Sequence, residues 1–133
     1  MFKTCLKASA VVLTLSALSS AALAEKLPKQ STDFKGNYDI AIKDNNAKPE
    51  TALCSATVND LTKNTKYKYD RFGFTQADYD AAILSQANGS ALTTVKLSGE
   101  ARPRNGATNW DKVTVVCTVN KKSVRSVAVT VQK

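Results

Sequence analysis

Three consecutive segments near the C-terminus alternate apolar and polar side chains, a period of two that is typical of strands buried on one face. They cover residues 95–101, 111–119 and 124–131. Polar links containing turn residues join them, so each segment is expected to pair antiparallel with the one before it. The pattern predicts a three-stranded antiparallel meander at the C-terminal end of the chain.

One register between the first two strands satisfies their apolar and charged residues together. It gives these pairs: Leu97 with Val115, Val95 with Cys117, and Glu100 with Lys112. For the last strand, a two-residue turn at 121–122 would place Cys117 opposite Ser126. A register one residue longer gives these pairs instead: Val113 with Val131, Val115 with Val129, and Cys117 with Val127. Since a slip of one residue turns every side chain to the other face, we expect the longer register.

The first 24 residues match the three parts of a secretory signal peptide. Two lysines are followed by an apolar run over residues 8–18 and by a small-residue site, Ala-Leu-Ala, that ends at residue 24. The alternative is a membrane anchor, but an anchor needs about 20 apolar residues and this run is shorter and interrupted by Ser and Thr. We predict a signal peptide at residues 1–24 and a single small domain at residues 25–133. That domain is expected in the periplasm or secreted, without a transmembrane segment after cleavage.

Two cysteines, Cys54 and Cys117, remain after removal of the leader, and an oxidising compartment favours a disulfide between them. Closing a loop of about 64 residues would stabilise the fold by roughly 4 kcal/mol. A redox pair and a metal site are the alternatives, but the spacing is not C-x-x-C and the chain has no histidine. We therefore predict a structural disulfide, and no metal or cofactor.

Two segments before residue 60 also alternate and are predicted to be strands. Over residues 34–43, the side chains that fall on one face include Phe34, Tyr38 and Ile40. The segment 53–58 places Cys54 on one face with two other apolar residues. The predicted disulfide sets this second strand beside or across the meander.

One helix is predicted over residues 76–88. Thr75 is a suitable N-cap, and Asp78 can complete a capping box with it. Phe74 and Tyr79 have the spacing of a hydrophobic staple, and Gly89 follows as a stop signal. Together the elements predict an α+β fold, with an antiparallel sheet of about five strands, one helix packed on it and one disulfide.

The stretch KNTKYKYDRFGF, residues 63–74, interleaves cations and aromatic rings, a composition typical of single-stranded nucleic-acid platforms. Tyr67 and Tyr69 alternate with lysines, as in a short strand that has its rings on one side, and Phe74 belongs to the helix start. Arg71 and Phe72 are left without an assigned role. Because folding accounts for most of the rings, we predict core packing here and expect no nucleic-acid partner.

The link between the first two strands of the meander, ARPRNGATNWD, is the best candidate for a binding site. Arg102, Arg104 and Trp110 combine guanidinium groups with a large ring, which is the composition of a binding hot spot. The alternative is that Trp110 folds back over the sheet edge and that both arginines are solvated. We treat these three residues as a predicted binding site.

The net charge of the predicted domain indicates which kind of partner it would attract. Of the 19 Lys and Arg residues, Lys3 and Lys7 lie in the predicted leader, which leaves 17 against 11 Asp and Glu and a net charge of +6. An excess of this size favours encounter with anionic surfaces. The expected partner is therefore an anionic component of the envelope or, through the hot spot, a protein.

Catalysis is not predicted, because the chain has no histidine and both remaining cysteines are expected to be bonded. No catalytic residue is assigned. We expect a small, basic, exported, non-catalytic binding protein of the periplasm or the secreted space. The alternatives are an inhibitor or accessory subunit of an envelope or secreted protein, and an enzyme of unknown type.

Overall fold

Helices and an antiparallel sheet make up the computed structural model, which describes residues 23–132, so the predicted signal peptide lies almost entirely outside the described residues. The elements in chain order are β1 (Ala24–Glu25), α1 (Phe34–Asn45), α2 (Pro49–Leu61), β2 (Tyr69–Gly73), α3 (Gln76–Asp80), β3 (Ile83–Ser85), β4 (Thr93–Pro103), β5 (Asp111–Asn120) and β6 (Ser123–Val131). The strand order is β1-β6-β5-β4-β2, and β3 pairs with β4. The predicted α+β fold is confirmed, although the described part of the chain has three helices where one was expected.

The C-terminal meander has the predicted register. Between β4 and β5 the pairs are Leu97 with Val115, Val95 with Cys117, and Glu100 with Lys112. Between β5 and β6 the pairs are Val113 with Val131, Val115 with Val129, and Cys117 with Val127. A bulge between Thr118 and Val119 then shifts the pairing, so that Asn120 lies opposite Ser123 at the turn. The bulge lets the two-residue turn and the longer register occur in the same hairpin.

Helix α1 occupies the segment that was predicted to be a strand over residues 34–43, so that prediction is wrong. Phe34, Tyr38 and Ala41 recur at the helical spacings of four and three, whereas a period of two would place Ala41 on the opposite face from Phe34 and Tyr38. Ile40, which a strand would bury, is 52% exposed. The helix ends at Asn45, and Asn46 follows as a left-handed C-cap with a φ of 56°.

Helix α2 occupies the other predicted strand, residues 53–58, so that prediction is also wrong. The helix begins at Pro49, whose fixed φ suits a first helical position. It lies between the sheet and α1, and nearly all of its side chains are buried. A helix that is buried on every side has no polar face, so its sequence carries no amphipathic period.

The disulfide joins Cys54 of α2 to Cys117 of β5, which confirms the predicted bond. The two Cα atoms lie 5.8 Å apart, and both cysteines are fully buried. The surrounding core consists mainly of valines and a leucine from β4, β5 and β6. The bond therefore fastens the central helix to the middle strand of the meander.

Helix α3 has the predicted start but not the predicted length. The Asp78 N–H donates to Thr75 Oγ1 at 3.1 Å and the Thr75 N–H donates to the Asp78 carboxylate at 2.9 Å, which confirms the capping box. The rings of Phe74 and Tyr79 lie 5.9 Å apart, as the staple requires. The helix ends at Asp80 and not at residue 88, because Ile83–Ser85 pairs with β4 as strand β3.

Candidate binding surface on the open face of the sheet

The sheet has a covered face and an open face. Helix α2 packs on the covered side, where the side chains of β4, β5 and β6 are buried. The side chains that point the other way are half-buried or exposed. We call this side the outer face, and it consists of the even-numbered residues of 94–102, 112–118 and 126–130 with their neighbours Arg71 and Gly73 on β2.

Trp110 lies against the outer face over strand β2. A Cβ atom on Gly73 would be only 3.3 Å from Cζ3 of Trp110, so the ring rests on a position that has no side chain. The Arg102 guanidinium lies over the same ring, 5.9 Å from a ring centroid. These two contacts hold the ring on the sheet while 36% of the residue stays exposed. Trp110 is therefore both anchored and accessible.

Arg102 is oriented by an acidic neighbour on β2. Its Nε donates to Oδ1 of Asp70 at 2.6 Å, and this hydrogen bond lowers the pKa of the Asp70 carboxyl below its ordinary value. Because the pair is partly exposed, it adds little to the stability of the fold. Its effect is to fix the guanidinium beside Trp110.

Arg104 is engaged by the backbone of residues 62–69, which lead into β2. Its guanidinium donates at 2.8 to 3.3 Å to four carbonyl oxygens: those of Thr62, Asn64, Tyr67 and Tyr69. Neither arginine was predicted to have a packing role, but these hydrogen bonds give one to Arg104. The part of Arg104 in binding stays a prediction.

The free energy of unfolding of the Arg104→Ala variant is expected to be about 2 to 3 kcal/mol lower than that of the wild type, because hydrogen bonds from a charged donor are lost. Urea denaturation measures the change. Arg102→Ala is the matched control, since it removes the same side chain two residues away and should leave unfolding nearly unchanged. Similar losses in the two variants would contradict the structural role of Arg104.

The rings of residues 63–74 pack into the core and do not form a surface platform. Tyr69 is 2% exposed and Phe72 is 5% exposed. Five rings contact one another in series, with centroids 5.8 to 6.4 Å apart: Tyr67, Tyr69, Phe72, Phe74 and Tyr79. The predicted core packing is confirmed, and Phe72, which the sequence analysis left unassigned, is among the most buried rings.

Two tyrosine hydroxyls of this cluster are buried with the rings. The Tyr69 hydroxyl donates to Oδ2 of Asp111 at 2.8 Å, and burial together with this bond raises the pKa of Tyr69 to about 12. The Tyr67 hydroxyl has no hydrogen-bond partner within residues 23–132, and burial raises its pKa as well. Both groups therefore stay neutral at physiological pH.

Cations outnumber anions on the outer face. Arg71, Lys96 and Lys112 are exposed and form no ion pair within the part of the chain that the structure describes. Glu100 is the acidic residue among the members of this face, and it lies opposite Lys112. The outer face therefore presents three available positive charges and one negative charge, and the anchored ring of Trp110 lies on the same face.

Sequence reasoning missed several residues of this surface. Asp70 lies 32 residues before Arg102 and Gly73 lies 37 residues before Trp110, and the pairing of β2 with β4 brings them together. Lys96 and Lys112 were recognised as polar positions of strands but not as part of a site. Their alternation with valine and leucine is the signal that placed them on one face.

Three other features could indicate a function: metal sites, membrane-spanning helices and similarity to known proteins. No three Cys, Asp or Glu side chains of residues 23–132 are placed to hold a metal ion. None of the helices described there is both long and apolar enough to span a membrane. Comparisons of the chain with family models, curated proteins and solved structures found no match.

Proposed function

We propose that this protein is an exported, non-catalytic binding protein that captures an acidic polymer on its outer face. The observation that carries the proposal is the group of exposed cations on the outer face, Arg71, Lys96 and Lys112, together with the anchored ring of Trp110 on the same face. A polymer with repeated negative charges gains from several such contacts at once. The net charge of +6 on residues 25–133 adds a longer-range attraction.

Export is part of the proposal. Residues 1–24 have the charged, apolar and small-residue parts of a signal peptide. The bond between Cys54 and Cys117 suits an oxidising compartment, such as the periplasm or the extracellular space. Acidic polymers of the envelope or the medium would be accessible to a protein in either place.

A binding role is favoured over catalysis by the chemistry of the available side chains. The chain has no histidine, and Cys54 and Cys117 are bonded to each other. Asp70 and Asp78 are engaged by Arg102 and by the start of α3. A nucleophile with an adjacent base, as covalent catalysis requires, is not supported by this set.

The stacked pair of Arg102 and Trp110 favours a second candidate function. An arginine and a tryptophan that are oriented in advance have the composition of a hot spot for a protein partner. The protein would then be an inhibitor or an accessory subunit of another exported protein. Such an interface depends less on ionic strength than the capture of a polyanion.

Binding to inorganic polyphosphate tests the electrostatic part of the proposal. Replacing Arg71, Lys96 and Lys112 with glutamine is expected to weaken binding about tenfold or more at low salt, since three charge contacts are lost. The matched control replaces the exposed Lys29, Lys43 and Lys48, which lie outside the outer face, and changes the net charge equally. The control should retain most of the affinity.

Three results would count against the proposal. Failure of the wild type to bind either polyphosphate or an acidic polysaccharide such as polygalacturonate at about 50 mM salt, where the Debye length is long, would remove the polyanion role. Equal losses of affinity in the two triple variants would show that binding depends only on the net charge and not on the outer face. Salt-independent binding of a purified exported protein, lost in Trp110→Ala, would favour the second candidate.

A further inference from the structure

We infer that the acidic polymer is a polysaccharide and that one of its sugar rings stacks on Trp110. This inference rests on the proposed function, because it names the chemical class of the ligand at the same surface. Any polyanion could bind the cations of the outer face. A sugar polymer would in addition use the ring of Trp110 and the carboxylate of Glu100, which lie on the same face.

Trp110 offers a partly exposed ring as a platform for stacking. The Arg102 guanidinium lies over the ring, 5.9 Å from a ring centroid, and Cζ3 lies against Gly73, while 36% of the residue stays exposed to a ligand. The π-face of an aromatic ring is negative, and it attracts the weakly positive C–H groups on one side of a sugar. Because the ring is already held in place, little conformational entropy is lost when a ligand stacks on it.

Hydrogen-bonding groups suited to hydroxyls lie directly beside the ring. A depression of about 490 Å³ is lined by Glu100, Thr108, Asn109 and Trp110. The Glu100 carboxylate accepts hydrogen bonds only, and its two oxygens match a pair of neighbouring hydroxyl donors. The Asn109 amide both donates and accepts. This combination complements the ring hydroxyls of a sugar.

Glu100 also disfavours a phosphate-rich ligand at the ring. A polyphosphate, or a nucleotide whose base stacks on Trp110, would bring phosphate charge close to this carboxylate. An acidic polysaccharide can instead place a neutral, hydroxyl-bearing part of the sugar at Glu100 and its carboxylates at the lysines. Lys112 lies directly opposite Glu100, and Lys96 is about 13 Å along β4 from it, at four residues of strand rise.

The rest of the outer face is rich in hydroxyl side chains. Ser98, Thr114 and Thr130 are half-buried or exposed, and Thr118 and Ser126 hydrogen-bond each other at 2.6 Å. Hydroxyl groups can donate and accept, so they adapt to the hydroxyls of a polymer that crosses the strands. Such a surface extends the sugar site beyond a single ring.

Fluorescence of Trp110 tests the inference directly, because the chain contains one tryptophan. Polygalacturonate, an acidic sugar polymer, is expected to shift the emission and to protect the ring from acrylamide quenching. Inorganic polyphosphate should bind the same face through the cations without protecting the ring. Trp110→Ala is expected to weaken polygalacturonate binding about tenfold, whereas Trp110→Phe keeps a stacking ring and should retain most of it.

Glu100→Gln separates the two kinds of ligand, and it changes an exposed residue, so the fold should be unaffected. The variant loses a charged acceptor for sugar hydroxyls and should bind polygalacturonate several-fold more weakly. It also loses a negative charge and should bind polyphosphate equally or more tightly. Effects of opposite sign on the two polymers would support a sugar site.

Other outcomes would overturn the inference. If polygalacturonate binds but leaves Trp110 as open to quenching as before, the sugar does not stack there, although the proposed function still stands. Stronger protection by oligothymidylate would assign the platform to a nucleobase. If neither polygalacturonate nor polyphosphate binds at low salt, both the inference and the proposed function are wrong.

Discussion

The Cys54→Ser variant is expected to have a free energy of unfolding about 2 to 5 kcal/mol below that of the wild type. The disulfide links residues 63 apart in the chain, so its loss gives the unfolded chain much additional freedom. The serine hydroxyl would also be placed in a fully buried position. Thermal and urea unfolding under non-reducing conditions measure the difference.

The reciprocal variant provides the control. Cys117→Ser should lose a similar amount, and the double variant should lose much less than the sum, because both changes break the same bond. Denatured but unreduced mature protein should contain no free thiol. Equal melting temperatures for the variants and the wild type would show that the bond does not stabilise the fold.

Truncation of Phe72 to alanine is expected to cost about 3 to 5 kcal/mol, because the ring is nearly fully buried and would leave a cavity. Phe72 contacts Tyr67, Tyr69 and Phe74, so its loss would also loosen the aromatic cluster between β2 and the core. Urea unfolding measures the loss.

Two milder changes calibrate that result. Ile83→Ala removes an apolar side chain that is 60% exposed and should change stability by less than about 0.5 kcal/mol. Tyr69→Phe removes only the hydroxyl that donates to Asp111, with an expected loss of about 1 kcal/mol. A Phe72→Ala variant as stable as Ile83→Ala would contradict the core assignment of the cluster.

The arrangement of the core explains how the outer face becomes available for binding. Helix α2 is tied by the disulfide to the covered face, and α1 packs on the far side of α2. Both long helices therefore lie on one side of the sheet. The opposite side is a rigid surface on which recognition residues such as Trp110 can be held in position.

The candidate site could be predicted only in part. Arg102 and Trp110 were recognised from composition, since an arginine and a tryptophan in a loop are typical of recognition. The structural role of Arg104 could not be predicted, because its hydrogen-bond acceptors are backbone carbonyl oxygens 35 to 42 residues away in the chain. Backbone acceptors are present at every residue and leave no mark in a sequence.

The sequence by itself determined the meander, its register and the disulfide. Partners in a meander are consecutive segments, and the period of two fixes which side chains share a face, so local information is sufficient. Only the tertiary structure decided that residues 34–45 and 49–61 are helices. In α1 Phe34 and Tyr38 fit both periods, and in α2 burial on all sides removes the polar face that would reveal a helix. Their conformation follows from the packing of α2 against the sheet and of α1 against α2, which is a long-range property of the folded chain.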